Sequence, residues 1–150
     1  MKKLILLTLI VILTACSINP PASEIQTNKT KWENAKIAHY RYNLSISCFC
    51  AFMDDMPLSI EVENGALISI TTKNGTIVDS SSAFYEMYLP HSTIDRIFLN
   101  LEADLAGKAD EVAVTYDPAY GYPTSISIDR IKEAVDDEVS YFVTDFEIIK

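Results

Sequence analysis

From Tyr40 to Cys50 the chain alternates. Tyr40, Tyr42, Leu44, Ile46, Cys48 and Cys50 share one side of a period of two, and Arg41, Asn43, Ser45 and Ser47 share the other. Such a period predicts a strand with one buried face. The pattern returns in Leu58, Ile60 and Val62, in Ile68 and Ile70, in Val112, Val114 and Tyr116, in Ile126 and Ile128, and in Phe142, Phe146 and Ile148. Asn64-Gly65 and Asn74-Gly75 predict tight turns, because both residue types accept positive φ.

Helical spacing appears twice. Ile94, Ile97, Phe98, Leu101 and Leu105 predict a helix that stops at Gly107, and Ser92 with Asp95 has the spacing of a capping box. Thr30 with Glu33 predicts the start of a shorter helix, Lys31 to about His39, with Trp32 and Ala35 on its apolar face. The order is helix, three strands, helix, three strands. One polar face per strand predicts an α+β fold: an antiparallel β-sheet with two helices packed on one face and the other open to water, compatible with an αβββ-αβββ duplication. Asn43, Ser45, Ser59, Glu61, Ser69, Thr71, Ser125, Ser127 and Asp129 belong to the open face.

The amino-terminal segment has a different character. Lys2 and Lys3 precede the apolar run Leu4 to Leu13, which is shorter than the roughly 20 residues a membrane span requires. Leu13, Thr14, Ala15 and Cys16 then match the bacterial lipobox, so residues 1–15 are read as a lipoprotein signal peptide and Cys16 as the lipidation site. "SINPPASEIQTN", with two prolines and no apolar period, predicts a lipidated flexible tether over 16–28, leaving 29–150 as a single α+β domain. The expected location is extracytoplasmic, anchored by lipid to the cell membrane or outer membrane.

Charge narrows the partners. The chain carries 12 basic and 21 acidic residues, a formal charge of −9, and loss of Lys2 and Lys3 with the signal makes it −11. A field of that sign repels nucleic-acid phosphates and anionic headgroups, leaving the lipid as the membrane contact and an envelope protein as the expected macromolecular partner.

Cys48 and Cys50 are the cysteines left once Cys16 carries lipid. An oxidising compartment favours a disulfide, yet residues two apart in a regular strand lie about 6.6 Å apart with parallel side chains. Closure therefore requires a bulge or turn at Phe49, and the bond would be strained and readily reduced. Two sulfurs are too few for zinc, and His39 and His91 stand at no ligand spacing from them, whereas two-coordinate Cu(I) suits a thiolate pair. A structural disulfide, buried reduced thiols and a metal or redox pair all remain open, with the structural readings preferred.

Other candidates carry less chemistry. His91 in "LPHST" has no nucleophile motif near it and reads as a loop histidine. Asp136, Asp137 and Glu138 lack the spacing of a calcium loop and read as a solvated hairpin tip. In "YDPAYGYPTSISID", Asp117-Pro118, Gly121 and Pro123 specify a turn, while Tyr116, Tyr120 and Tyr122 supply aromatic bulk for the hairpin or a rim for a ligand.

Trp32, the Tyr40 and Tyr42 strand, Cys48-Phe49-Cys50, the "VENG" hairpin, Ile94 to Phe98, and the tyrosine-proline motif with Asp137 after it together resemble a family of bacterial, often lipidated, secreted proteins of unknown function. The resemblance spans nearly all of 29–150 and implies class and location, but no activity.

These residues predict a non-catalytic envelope lipoprotein, a protein-binding or structural module without cofactor or metal. Its binding surface is placed on Tyr116, Tyr120, Tyr122, Ser45, Ser69 and Ser127. The alternative is a thiol-based Cu(I) carrier or redox protein using Cys48 and Cys50. Burial decides between them: thiols beneath the helices favour the module, and sulfurs in a wet cleft among titratable groups favour reactivity.

Overall fold

A computed structural model describes residues 22–107 and 109–150; the signal segment, Cys16 and the first part of the tether lie outside them. Among the described residues three α-helices, α1 (Ala22–Ala35), α2 (Tyr85–Tyr88) and α3 (Ile94–Ala106), accompany seven strands. The strands are β1 (His39–Ser47), β2 (Leu58–Glu63), β3 (Ala66–Thr71), β4 (Ile77–Val78), β5 (Glu111–Tyr116), β6 (Pro123–Asp129) and β7 (Val139–Ile148). They form one antiparallel sheet in the order β4-β3-β2-β1-β7-β6-β5, so the fold is α+β, with one meander from each half of the chain joined where β1 pairs with β7.

The best-patterned segments fold as expected. Tyr40, Tyr42, Leu44 and Ile46 of β1, Leu58, Ile60 and Val62 of β2, and Ile126 and Ile128 of β6 all enter the core beside Ile94, Ile97, Phe98 and Leu101 of α3. Asn64 and Gly65 both take positive φ in the β2–β3 turn. Gly107 caps α3, its N–H bonding to the Ala103 carbonyl at 2.7 Å. The amino-terminal cap is Thr93 rather than Ser92: the Thr93 hydroxyl accepts from the Arg96 N–H at 3.1 Å, while the Ser92 hydroxyl donates to the Leu89 carbonyl. Asp95 instead accepts from the indole Nε1 of Trp32 at 3.1 Å.

The first helix begins earlier than its expected start at Lys31. α1 opens at Ala22, so residues 22–28 are helical and belong to the domain rather than to a flexible tether, and Thr30 lies mid-helix instead of capping. Ile25 is the reason: seven residues before Trp32, it falls on the same face two turns earlier, and both are buried. Lys29 pairs with Glu102 of α3 at 2.8 Å, and the Lys31 amine bonds the Pro118 carbonyl, holding α1 against both neighbours.

Two bulges invert expected faces. Between Glu61 and Val62 the partners skip from Ser69 to Leu67, so Ile68 is an extra residue and stands 54% exposed while Ile70 stays buried. Between Arg41 and Asn43 the partners jump from Glu147 to Thr144, with Asp145 at φ +51. Phe146 keeps to the core side, but Val139 and Val143 fill the core upstream, Phe142 turns out to the open face at 40% exposure, and Ile148 is exposed at the strand end.

Candidate functional site

β1 stops at Ser47, immediately before the first cysteine of the pair. The chain bends at Cys48 and Phe49, bringing the two cysteine Cα atoms to 5.2 Å, and the sulfurs are bonded. A bend at Phe49 is the local change the sequence required for closure. The expected burial beneath the helices is only partial: Cys48 and Cys50 lie beyond the strand, half-buried and packed against the edge of the core, and Phe49 between them is 90% exposed.

The disulfide lines an open cleft of about 240 Å³. Ile46, Phe52 and Val139 bring core apolar surface to it, and Phe52 is itself held edge-on by Tyr88 at 5.3 Å and Phe84 at 5.6 Å. Met87 comes from α2, and His91 from the 3-10 turn Leu89–His91. Arg130 follows β6, Asp136, Asp137 and Glu138 precede β7, and Tyr141 lies in it. Three segments far apart in sequence, 46–52, 87–91 and 130–141, thus converge around one S–S bond.

His91 is fixed from two directions. Its ring lies 4.1 Å from that of Tyr141, and its carbonyl accepts a 2.7 Å bond from the buried Tyr42 hydroxyl. Burial first, and the Arg130 charge second, push the imidazole down to about 4, so it is neutral at pH 7. Burial also raises the Tyr141 phenol, with Arg130 acting in the opposite sense. Arg130 is paired with Asp104 at 3.0 Å. Asp137 Oδ2 accepts from the Ile131 N–H at 2.8 Å, anchoring the acidic turn in which Asp136 has φ +69.

The tyrosine rim proves to be largely core. Tyr122 is 7% exposed, 4.5 Å from the Phe146 ring and 6.1 Å from Trp32, and burial raises its phenol to about 12. Tyr116 stacks on Phe98, and Tyr120 is tilted against Phe146, both partly buried. The turn itself forms as expected, Asp117 Oδ1 accepting from the Ala119 and Tyr120 N–H groups. Ser45, Ser69 and Ser127 do lie on the open face, on β1, β3 and β6 respectively. They are spread across four strand intervals, about 19 Å at ordinary strand spacing, and make no single cluster.

The family assignment rests on nearly the whole described domain. The sequence model of DUF6174, a family of unknown function, matches residues 24–148. The chain belongs to DUF6174. That match includes the α1 residues from Glu24 onward, in keeping with the early helix start. No curated protein matches the chain.

Sequence reasoning missed this cleft. His91, Arg130 and Met87 carry no shared motif, and their convergence depends on the sheet order that sets β1 beside β7. The one available signal was the break in alternation after Cys50. Among the described residues no three of His, Cys, Asp and Glu converge as metal ligands. A closed disulfide also presents no thiolate for Cu(I).

Proposed function

We propose that this DUF6174 domain is a thiol–disulfide exchange module, with the Cys48–Cys50 bond as its electrophile. The observation that carries the proposal is the position of that bond at the core's edge, lining an open cleft walled by His91, Arg130, Tyr141 and three carboxylates. This reading takes up the second of the two sequence-based alternatives. Supporting the location are the signal-like residues 1–15 and the lipobox ending at Cys16, which would deliver the domain to an oxidising compartment on a lipid anchor. Six peptide steps then separate Cys16 from Ala22, so the domain would sit within about 20 Å of its anchor.

The exchange balances as follows. A partner thiolate attacks one sulfur, the S–S bond breaks, a mixed disulfide forms and the second cysteine leaves as a thiolate. A second partner thiol then attacks the mixed disulfide, and the partner departs oxidised. Two electrons have passed to Cys48 and Cys50, whose two thiolates take up the two protons that the partner released. A disulfide-bearing protein returns them to the oxidised state by the reverse steps. The core residues packed beneath the two cysteines keep the bond in place.

Single variants Cys48→Ser and Cys50→Ser should test the proposal, since each leaves one thiol that can trap a partner as a mixed disulfide. Reaction of the native protein with a reduced peptide dithiol, followed by alkylation and mass measurement, should show two new thiols on the domain and a disulfide in the peptide. Native protein that stays oxidised under conditions where its denatured form is reduced would overturn it.

The open sheet face supports a second reading, a surface for an envelope protein. Phe142 stands on it between Ser45 of β1 and Ser125 of β6, an apolar ring amid hydroxyls. Cross-linking in intact cells should recover one partner, lost on Phe142→Lys; the same capture from wild type and variant would exclude that face.

A further inference from the structure

The walls of the cleft differ in chemistry, and that difference bears on which thiol can reach the sulfurs. Phe49, between the cysteines, is 90% exposed, and Met87 on α2 is 53% exposed; both line the cleft. Together they give the cleft an apolar lip that an apolar side chain can cover. The wall from the turn before β7 carries Asp136, Asp137 and Glu138. Among the described residues Arg130 is the cation lining the cleft, and Asp104 pairs with it at 3.0 Å. Counted over the described lining residues the charge balance is negative, within a chain whose formal charge is already −9. A volume of about 240 Å³ admits one or two side chains and excludes a folded surface.

We infer that the cleft selects a cysteine carried on an extended polypeptide with apolar and cationic residues beside it, and discriminates against anionic low-molecular-weight thiols. The inference rests on the exchange reading and adds its substrate class. Apolar neighbours of the incoming cysteine cover Phe49 and Met87, while Lys or Arg meets the acidic wall. A thiol bearing a carboxylate meets that wall with the wrong sign, and its attack is slowed because charge focusing acts on encounter.

The test compares two short peptides on the full domain, one with Phe and Lys flanking a single cysteine and one with Gly and Glu, together with cationic, neutral and anionic small thiols. Rates of opening of the Cys48–Cys50 bond are normalised to thiolate concentration, since thiol pKa values differ. At low salt the Phe-Lys peptide should react about tenfold or more faster than the Gly-Glu peptide, with the charge part of the gap closing near 1 M salt. Asp136→Asn combined with Glu138→Gln should shrink the cationic preference several-fold, and asparagine tolerates the positive φ at 136. Phe49→Ser should lower the rate of the Phe-containing peptide several-fold more than it changes the rate of small neutral thiols. Equal rates across peptides and thiols, with the bond opening in every case, would overturn the selectivity and leave the exchange reading standing. No opening by any thiol in the native state, with opening in the denatured state, would remove the exchange reading itself.

Discussion

The imidazole of His91 lies against the phenol ring of Tyr141, their centroids 4.1 Å apart and their planes 30° from parallel. Burial first, and the Arg130 charge second, keep this histidine neutral at physiological pH and displace its titration down to about 4. In an unfolded chain the same group takes a proton near pH ~6.5. Between these values the unfolded chain binds a proton that the native state refuses. Stability is therefore full above about 6.5 and declines as pH falls toward 4. Urea midpoints across that range should drop less steeply in His91→Gln than in wild type; coincident acid limbs would assign the decline to other groups.

Opening the disulfide should leave the fold standing. The bond closes a loop of only three residues, for which chain entropy predicts about 1.5 kcal/mol of stabilisation. β1, which precedes it, is hydrogen-bonded to β2 on one side and β7 on the other. A Cys48→Ser, Cys50→Ser double variant should keep the far-ultraviolet circular dichroism of the native protein and lose about 1–2 kcal/mol in urea titration. Loss of cooperative unfolding would make the bond a structural staple instead.

Gly121 and Gly75 separate backbone strain from crowding. Both have φ near +80, but a Cβ at Gly121 would stand 2.6 Å from the Asn28 carbonyl oxygen of α1, whereas nothing lies within 4 Å at Gly75. Gly75→Ala should cost about 1 kcal/mol, the left-handed penalty alone. Gly121→Ala should cost distinctly more, because α1 must move. Equal losses in denaturant titration would mean that the contact between α1 and the 117–122 turn yields freely.

Trp32 joins α1 to the sheet. It meets Tyr40, Phe146 and Tyr122 edge-on at 5.3, 5.9 and 6.1 Å, and its Nε1 donates to Asp95 of α3. Trp32→Ala should lose about 3–5 kcal/mol, the range for a buried aromatic removed from a core. Trp32→Phe, which keeps a ring but drops the indole donor, should lose clearly less. A small loss for the alanine variant, measured by calorimetry, would show that α1 contributes little to the domain.

Where one face of an element is buried without interruption, the fold was legible in the chain. Tyr40 to Ile46, Leu58 to Val62 and Ile94 to Leu101 follow their periods, and each side chain goes where the period sends it. β3 and β7 departed because one inserted residue, Ile68 in the first and Asp145 in the second, reverses every face on its far side. Phe146 was right for its own position and misleading for Phe142. α1 was underestimated because Ile25, a single apolar residue in a polar stretch, carries no visible period of its own. Candidate chemistry was legible as Cys48 and Cys50 alone. The neighbours that give them an environment come from loops after β6, before β7 and around α2, and only sheet order brings those together.

Because β1 is clamped along both edges and hands the chain directly to Cys48, the sulfurs are mounted on a fixed post. A docking polypeptide must do the adapting, since little conformational freedom remains on this side to be lost on contact. Under the proposed exchange, geometry at first touch, more than patience in the encounter, would then decide which cysteine is oxidised.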